Sequence, residues 1–106
     1  MELTEQEIDA LKKAHGINRI YRLESDNVAI YVRMPSPGVW RRFRSHVNDP
    51  RKRDEAGEAM LRASLIKPSQ EEFSALLEER PGLLDTFANE VTELAGLKND
   101  VEKKVL

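Results

Sequence analysis

Six basic residues crowd a short stretch of this 106-residue chain: Arg41, Arg42 and Arg44, then Arg51, Lys52 and Arg53. Trp40 and Phe43 lie among them. Basic side chains beside aromatic rings can grip nucleic acid, through phosphate contacts and base stacking. The same arginine forks also fit the carboxylates of a protein partner. Overall charge favours the second use, because the chain is net acidic at -2 and exerts no general pull on a polyanion. Trp40, Phe43 and Val47 also recur at i, i+3, i+7, the spacing of a buried helical stripe and not of the arginine positions. The acidic C-terminal half supplies carboxylates for the arginines, within one chain or between copies. Arg41, Arg42, Arg44, Arg51, Lys52 and Arg53, with Trp40, Phe43 and Phe87 as aromatic anchors, therefore form the expected partner-binding set.

Little else in the sequence has the pattern of chemistry. There are no cysteines, which removes disulfides, a thiol nucleophile and the usual structural zinc site. His46 lies near Ser45 and Asp49, but successive helical residues point about 100° apart and do not converge as a triad must. His15 precedes a helix-ending glycine, where positive charge suits the helix dipole. Glu71, Glu72, Glu78 and Glu79 stand at ordinary helical spacing, with acids favoured in the first turn. No glycine-rich loop is present to cradle a phosphate. No catalytic residue, metal or cofactor is expected, and the chain reads as a binding protein and not an enzyme.

The elements that carry these residues are well punctuated. Thr4 and Glu7 form a capping-box pattern, and Gly16 is a natural stop, so 4–15 reads as a helix. The period then changes to two. Ile17, Arg19, Tyr21 and Leu23 alternate with their neighbours, Ser25-Asp26-Asn27 forms a turn, and Val28, Ile30 and Val32 follow. This predicts a hairpin over 17–33, with its second strand covered on both faces. Ser36-Pro37 opens a helix, and Asn48-Asp49-Pro50 ends it. A further helix is expected over 50–66, with Gly57 allowing close approach of another backbone. Ser69 with Glu72 caps a short helix ending near Arg80, and Pro81 opens the last one, with Leu84, Phe87, Val91 and Leu94 on its apolar stripe. The expected fold class is α+β: an N-terminal helix and β-hairpin followed by a bundle of about four short helices. It makes one domain over 1–96, with a charged flexible tail at 97–106. No apolar run approaches the roughly 18–20 residues of a membrane span, and no signal peptide opens the chain. A cytoplasmic protein that does not bind membranes is expected.

From Met34 to Gly96 the chain resembles the small tail assembly chaperones of long-tailed bacteriophages and prophages. The resemblance rests on Pro35-Ser36-Pro37-Gly38-Val39-Trp40-Arg41-Arg42-Phe43 and on the helix with Ala56, Leu61 and Leu65 running into Pro68. It continues through Phe73, Leu76, Leu77, Pro81, Gly82, Leu83 and Leu84, and closes with Val91-Thr92-Glu93-Leu94-Ala95-Gly96. It implies a non-enzymatic role in the bacterial host cytoplasm: coating a long helical client, the tape measure protein, while the tail tube assembles. Such a protein needs an apolar groove rimmed with charge, to which Trp40, Phe43, Leu84 and Phe87 could contribute. Many weak copies, and so self-association into an oligomer, would suit it. Two alternatives stay open: a structural tail or connector component, and a nucleic-acid-binding regulator using the cluster between Arg41 and Arg53.

Overall fold

A computed structural model describes residues 2–96 and 104–105. Its elements run α1 (Glu5–His15), β1 (Tyr21–Ser25), β2 (Val28–Val32), α2 (Pro37–Val47), α3 (Arg53–Ser64), β3 (Leu65–Lys67), α4 (Gln70–Glu79) and α5 (Gly82–Leu94). This is the expected α+β order of helix, hairpin and four helices, with one short strand added. The expected tail at 97–106 lies outside the described residues, except for Lys104 and Val105, which are exposed.

Three helix starts follow from side-chain caps. The Thr4 hydroxyl accepts from the Glu7 N–H at 3.1 Å while Glu7 reaches back to the Thr4 N–H, closing the capping box of α1. Ser69 and Glu72 repeat the device for α4. Ser36 accepts from Val39 N–H, and Pro37 occupies the first turn of α2, where its missing N–H has no intrahelical partner to lose. Gly16 ends α1 at φ 62°, a left-handed conformation that suits glycine.

β1 and β2 pair antiparallel, with Tyr21 opposite Val32, Leu23 opposite Ile30 and Ser25 opposite Val28. Asp26 and Asn27 form the two-residue loop at φ 53° and 65°, whose twist matches that of the strands. The Arg80 guanidinium, at the end of α4, donates to the Asp26 carbonyl at 2.7 Å and to its carboxylate at 2.9 Å. This contact ties the turn to the helical half of the chain. Ile30 and Val32 have no exposed surface and pack into the helical core, while Tyr31 is buried on the opposite face. The Tyr31 hydroxyl accepts from the Leu3 N–H. Arg22, which pairs with Glu2 and Glu24 beside it, has its pKa raised chiefly by a hydrogen bond with Tyr31 and then by one with Glu24. The second strand is thus covered on both faces.

Two elements differ in their bounds from the sequence reading. The hairpin expected over 17–33 is paired only over 21–32, because Tyr21 lies opposite Val32 and the chain beyond turns into α2, leaving 17–20 no strand to pair with. The helix expected over 50–66 begins at Arg53 and ends at Ser64. Its start is displaced because the Asp49 carboxylate accepts from Arg51 N–H, holding 49–52 in turns instead of capping a helix at Pro50. Its last residues leave the helix to pair with the open edge of β2, Leu65 lying opposite Val32 and Lys67 opposite Tyr31. The residue before a proline disfavours helix, and an unpaired strand edge offers the competing hydrogen bonds. The sheet among the described residues is therefore three-stranded, in the order β1-β2-β3.

The core joins β2 to α3, α4 and α5 through Met60, Leu61, Phe73, Leu83, Phe87 and Val91. The one buried polar side chain among the described residues, Ser64, donates to the Met60 carbonyl at 2.9 Å and leaves no unsatisfied group. Arg62 fixes the α3–α4 corner. It pairs with Glu58 at 2.8 Å, donates to Gln70 and lies 5.3 Å from the centre of the Phe73 ring.

α3 crosses α5 closely at Gly57, where an added Cβ would sit 3.5 Å from the Ala88 Cβ. That is ordinary van der Waals contact, so alanine fits without displacement. Gly57→Ala is expected to raise stability by about 0.4–1 kcal/mol, because it improves helix propensity and restricts the unfolded chain. Gly57→Val adds further atoms at the same crossing and is expected to lower stability. Urea midpoints of the two variants check this.

Candidate protein-binding surface

α2 is the outermost of the helices that follow the hairpin. It packs chiefly on α3, and none of its residues is fully buried. Val39, Trp40 and Phe43 lean on the margin of the core and stay partly exposed. The Trp40 and Phe43 rings lie side by side, with centroids 5.3 Å apart and planes tilted by 33°. An amphipathic helix whose apolar stripe stays partly accessible can serve as an interaction face.

The basic cluster divides into two groups. Arg41, Arg42 and Arg44 project from α2, exposed, with no hydrogen bond or ion pair among the described residues. Arg51, Lys52 and Arg53 form the turn into α3 and are also exposed. Arg51 lies 3.6 Å from the Asp49 carboxylate. The Arg53 Nε donates to the Val47 carbonyl at 3.1 Å, closing the C-terminal end of α2. Arg53 is thus engaged within its own chain, and the free guanidinium groups are those of α2.

Phe87 must be reassigned. It is only 1% exposed and sits within the core between Leu83 and Val91. Its spacing on α5 identified a stripe correctly, but Phe87 and Val91 of that stripe are enclosed in the core and closed to any partner, while Leu84 stays partly exposed. Of the three aromatics in the expected set, Trp40 and Phe43 are the ones that stay partly exposed.

Two depressions flank Phe43. The first, between α2 and α3, is lined by Val39, Arg42, His46 and three alanines and is nearly filled, with about 30 Å³ free. The second lies where the end of α2 and the start of α3 meet α5, and holds about 390 Å³. Phe43, Val47, Gly57, Leu84 and Ala88 supply its apolar lining. Arg53, Asp54, Glu58, Asp85, Asn89 and Thr92 supply its polar lining. Phe43 and Val47 are four residues apart on α2, as are Leu84 and Ala88 on α5, so each pair lies along one side of its helix. The small residues at 57 and 88 bring α3 and α5 together and leave depth between the larger side chains. Leu84 was legible as an anchor. Val47, Ala88, Asn89 and Thr92 were not, because only the crossing of α3 and α5 brings them to the same place.

No group of three His, Asp or Glu among the described residues is placed to hold a metal ion. No helix among them is long and apolar enough to cross a membrane.

A scan against family models matches residues 11–104 to the domain of unknown function DUF6848. The chain belongs to that family. The DUF6848 match begins inside α1 and spans the hairpin, every later element and the groove. Among solved structures, the DUF6848 chain is similar to an uncharacterised protein, rbstp2171, from Bacillus stearothermophilus. The two are 25% identical with a TM-score of 0.70, and the likeness covers 91% of this chain and 98% of that one. The fold therefore accounts for nearly all of that protein. The search of curated proteins found no match. Neither relative brings an activity with it, so function has to be argued from the surface of the DUF6848 fold.

The two aromatics should separate by stability. Phe87→Ala is expected to cost about 3–5 kcal/mol, as for a buried ring whose cavity cannot collapse fully. Trp40→Ala, at a half-exposed position, is expected to cost less than half as much. Chemical denaturation followed by far-UV circular dichroism measures both.

Proposed function

We propose that this chain is a non-enzymatic tail assembly chaperone of a phage or prophage. It acts in the bacterial cytoplasm by binding an amphipathic helical client such as a tape measure protein. The observation that carries the reading is the groove lined by Phe43, Val47, Leu84 and Ala88. A client helix presents apolar side chains at i, i+3 and i+4, and the apolar part of a mixed trench between helices can take such a stripe out of water while its polar part meets the helix flanks. The resemblance over Met34–Gly96 covers the elements that build this trench.

The size of the groove bears on mechanism. At about 390 Å³ it takes a few side chains and not a whole helix. One copy therefore grips weakly, and strong binding comes from many copies along one long client. That combination also allows stepwise release as the client is enclosed. The rim argues against nucleic acid as the occupant. Asp54, Glu58 and Asp85 line it, and its one cation, Arg53, is already bonded to the Val47 carbonyl. Phosphates would meet net negative charge there.

Calorimetric titration with a helical segment of a tape measure protein tests the proposal. Binding is expected to change little between about 0.1 M and about 1 M salt, since apolar contact is not screened. Val47→Lys and Leu84→Lys each place a charge in the apolar lining. Each is expected to weaken binding at least about tenfold, or about 1.4 kcal/mol, with the circular dichroism spectrum retained. A segment that binds both variants as tightly as the parent chain contradicts the assignment. So does a chain that binds only nucleic acid, with affinity falling steeply in salt. Retention of the protein in finished particles would favour a structural tail component instead.

A further inference from the structure

Charge on this chain is sorted by element. From Arg33 to Arg53 there are seven arginines and lysines and a single acid, Asp49. From Ser69 to Gly96 there are seven acids and a single cation, Arg80, which is already bonded to Asp26. On α4, Glu71, Glu72, Ala75, Glu78 and Glu79 are all exposed, opposite the buried Phe73. Their spacing of about one and two helical turns puts them on one side of the helix. On α2, Arg41 and Arg44 flank Trp40 at one and four residues, and none of the three basic residues at 41, 42 and 44 reaches a carboxylate among the described residues.

The two faces are opposite in sign and pair a large central residue with a small one. One carries a half-exposed indole flanked by guanidinium groups. The other carries a small residue, Ala75, flanked by carboxylates. Within one chain they stay apart, because α2 packs on α3 and makes no substantial contact with α4. Like charges crowded on one helix face repel, and at low salt a face of opposite charge relieves that repulsion. The available opposite face is on another copy. We infer that the outer face of α2 in one molecule docks on α4 of a second. The contact is heterologous, so each joined pair keeps one free face of each kind and can grow into a ring or an open chain. It uses the outside of α2 and leaves the groove by α5 free, so it stands whether or not the groove takes a helical client.

The test is analytical ultracentrifugation of the whole chain over a concentration series, at about 50 mM and about 500 mM salt. The weight-average mass is expected to rise with concentration at low salt and to fall to the monomer at high salt. Trp40, the only tryptophan, should shift its emission to the blue as the assembly forms. R41Q/R42Q/R44Q and E71Q/E78Q/E79Q change exposed positions and keep helix-forming side chains. Each alone is expected to be monomeric at low salt, with an unchanged circular dichroism spectrum. Mixed in equal amounts they are expected to form a dimer and nothing larger, because one supplies the intact α2 face and the other the intact α4 face. A parent chain that stays monomeric at low salt overturns the inference. So do variants that assemble like the parent, and a mixture that stays monomeric, which would point to a symmetric contact.

Discussion

The middle strand of the sheet sets the terms for the rest of the molecule. Ile30, Tyr31 and Val32 are consecutive and all buried, so β2 needs cover on both faces and a partner on both edges. A two-stranded hairpin alone is marginal in water and meets neither need. β1 takes one edge through the Asp26-Asn27 turn, and the segment after α3 takes the other. α3, α4 and α5 cover Ile30 and Val32, while the Leu3 N–H reaches Tyr31 on the far side. Once those places are filled, α2 has only the outside of α3 to lie on. Its exposure follows from the demands of β2.

That exposure is the link between fold and function. A helix carrying Trp40 and Phe43 would be core in most small domains, where burying a large aromatic stabilises by several kcal/mol. Here the stripe is divided. Part leans on α3, part borders the groove beside α5, and part stays in solvent under three arginines. The close crossing at Gly57 and Ala88 draws α3 and α5 together, and Leu84, Phe43 and Val47 remain as the walls around it. The packing of α3 on α5 and the proposed binding surface thus share the same small residues.

Much of this was legible in the sequence. Both capping boxes, the Ser36 cap, the Gly16 stop and the polar turn at 25–27 are local signals, in which nearby side chains satisfy nearby backbone groups. The double covering of β2 was visible in its apolar residues on both faces. What escaped was set at long range. Leu65–Lys67 is too short to display a period and becomes a strand only because the edge of β2 is open. Pro50 looks like a helix start, but the Asp49 side chain bonds within its own turn. Phe87 and Phe43 recur at similar spacing on their helices, and spacing cannot separate a helix enclosed on its apolar side from one left outside. For the same reason the arginines were recognisable as a cluster, while the groove needed the crossing of two helices to exist.

The helical client is proposed to lie in the trench between the end of α2 and α5. The most direct measurement is the pattern of backbone amide shifts in the nuclear magnetic resonance spectrum of the labelled chain as a helical tape measure segment is added. The largest changes are expected at Phe43, Val47, Gly57, Leu84 and Ala88, with α1 and the β1–β2 turn undisturbed. Changes confined to other surfaces, or a spectrum that does not move at saturating segment, would contradict that placement.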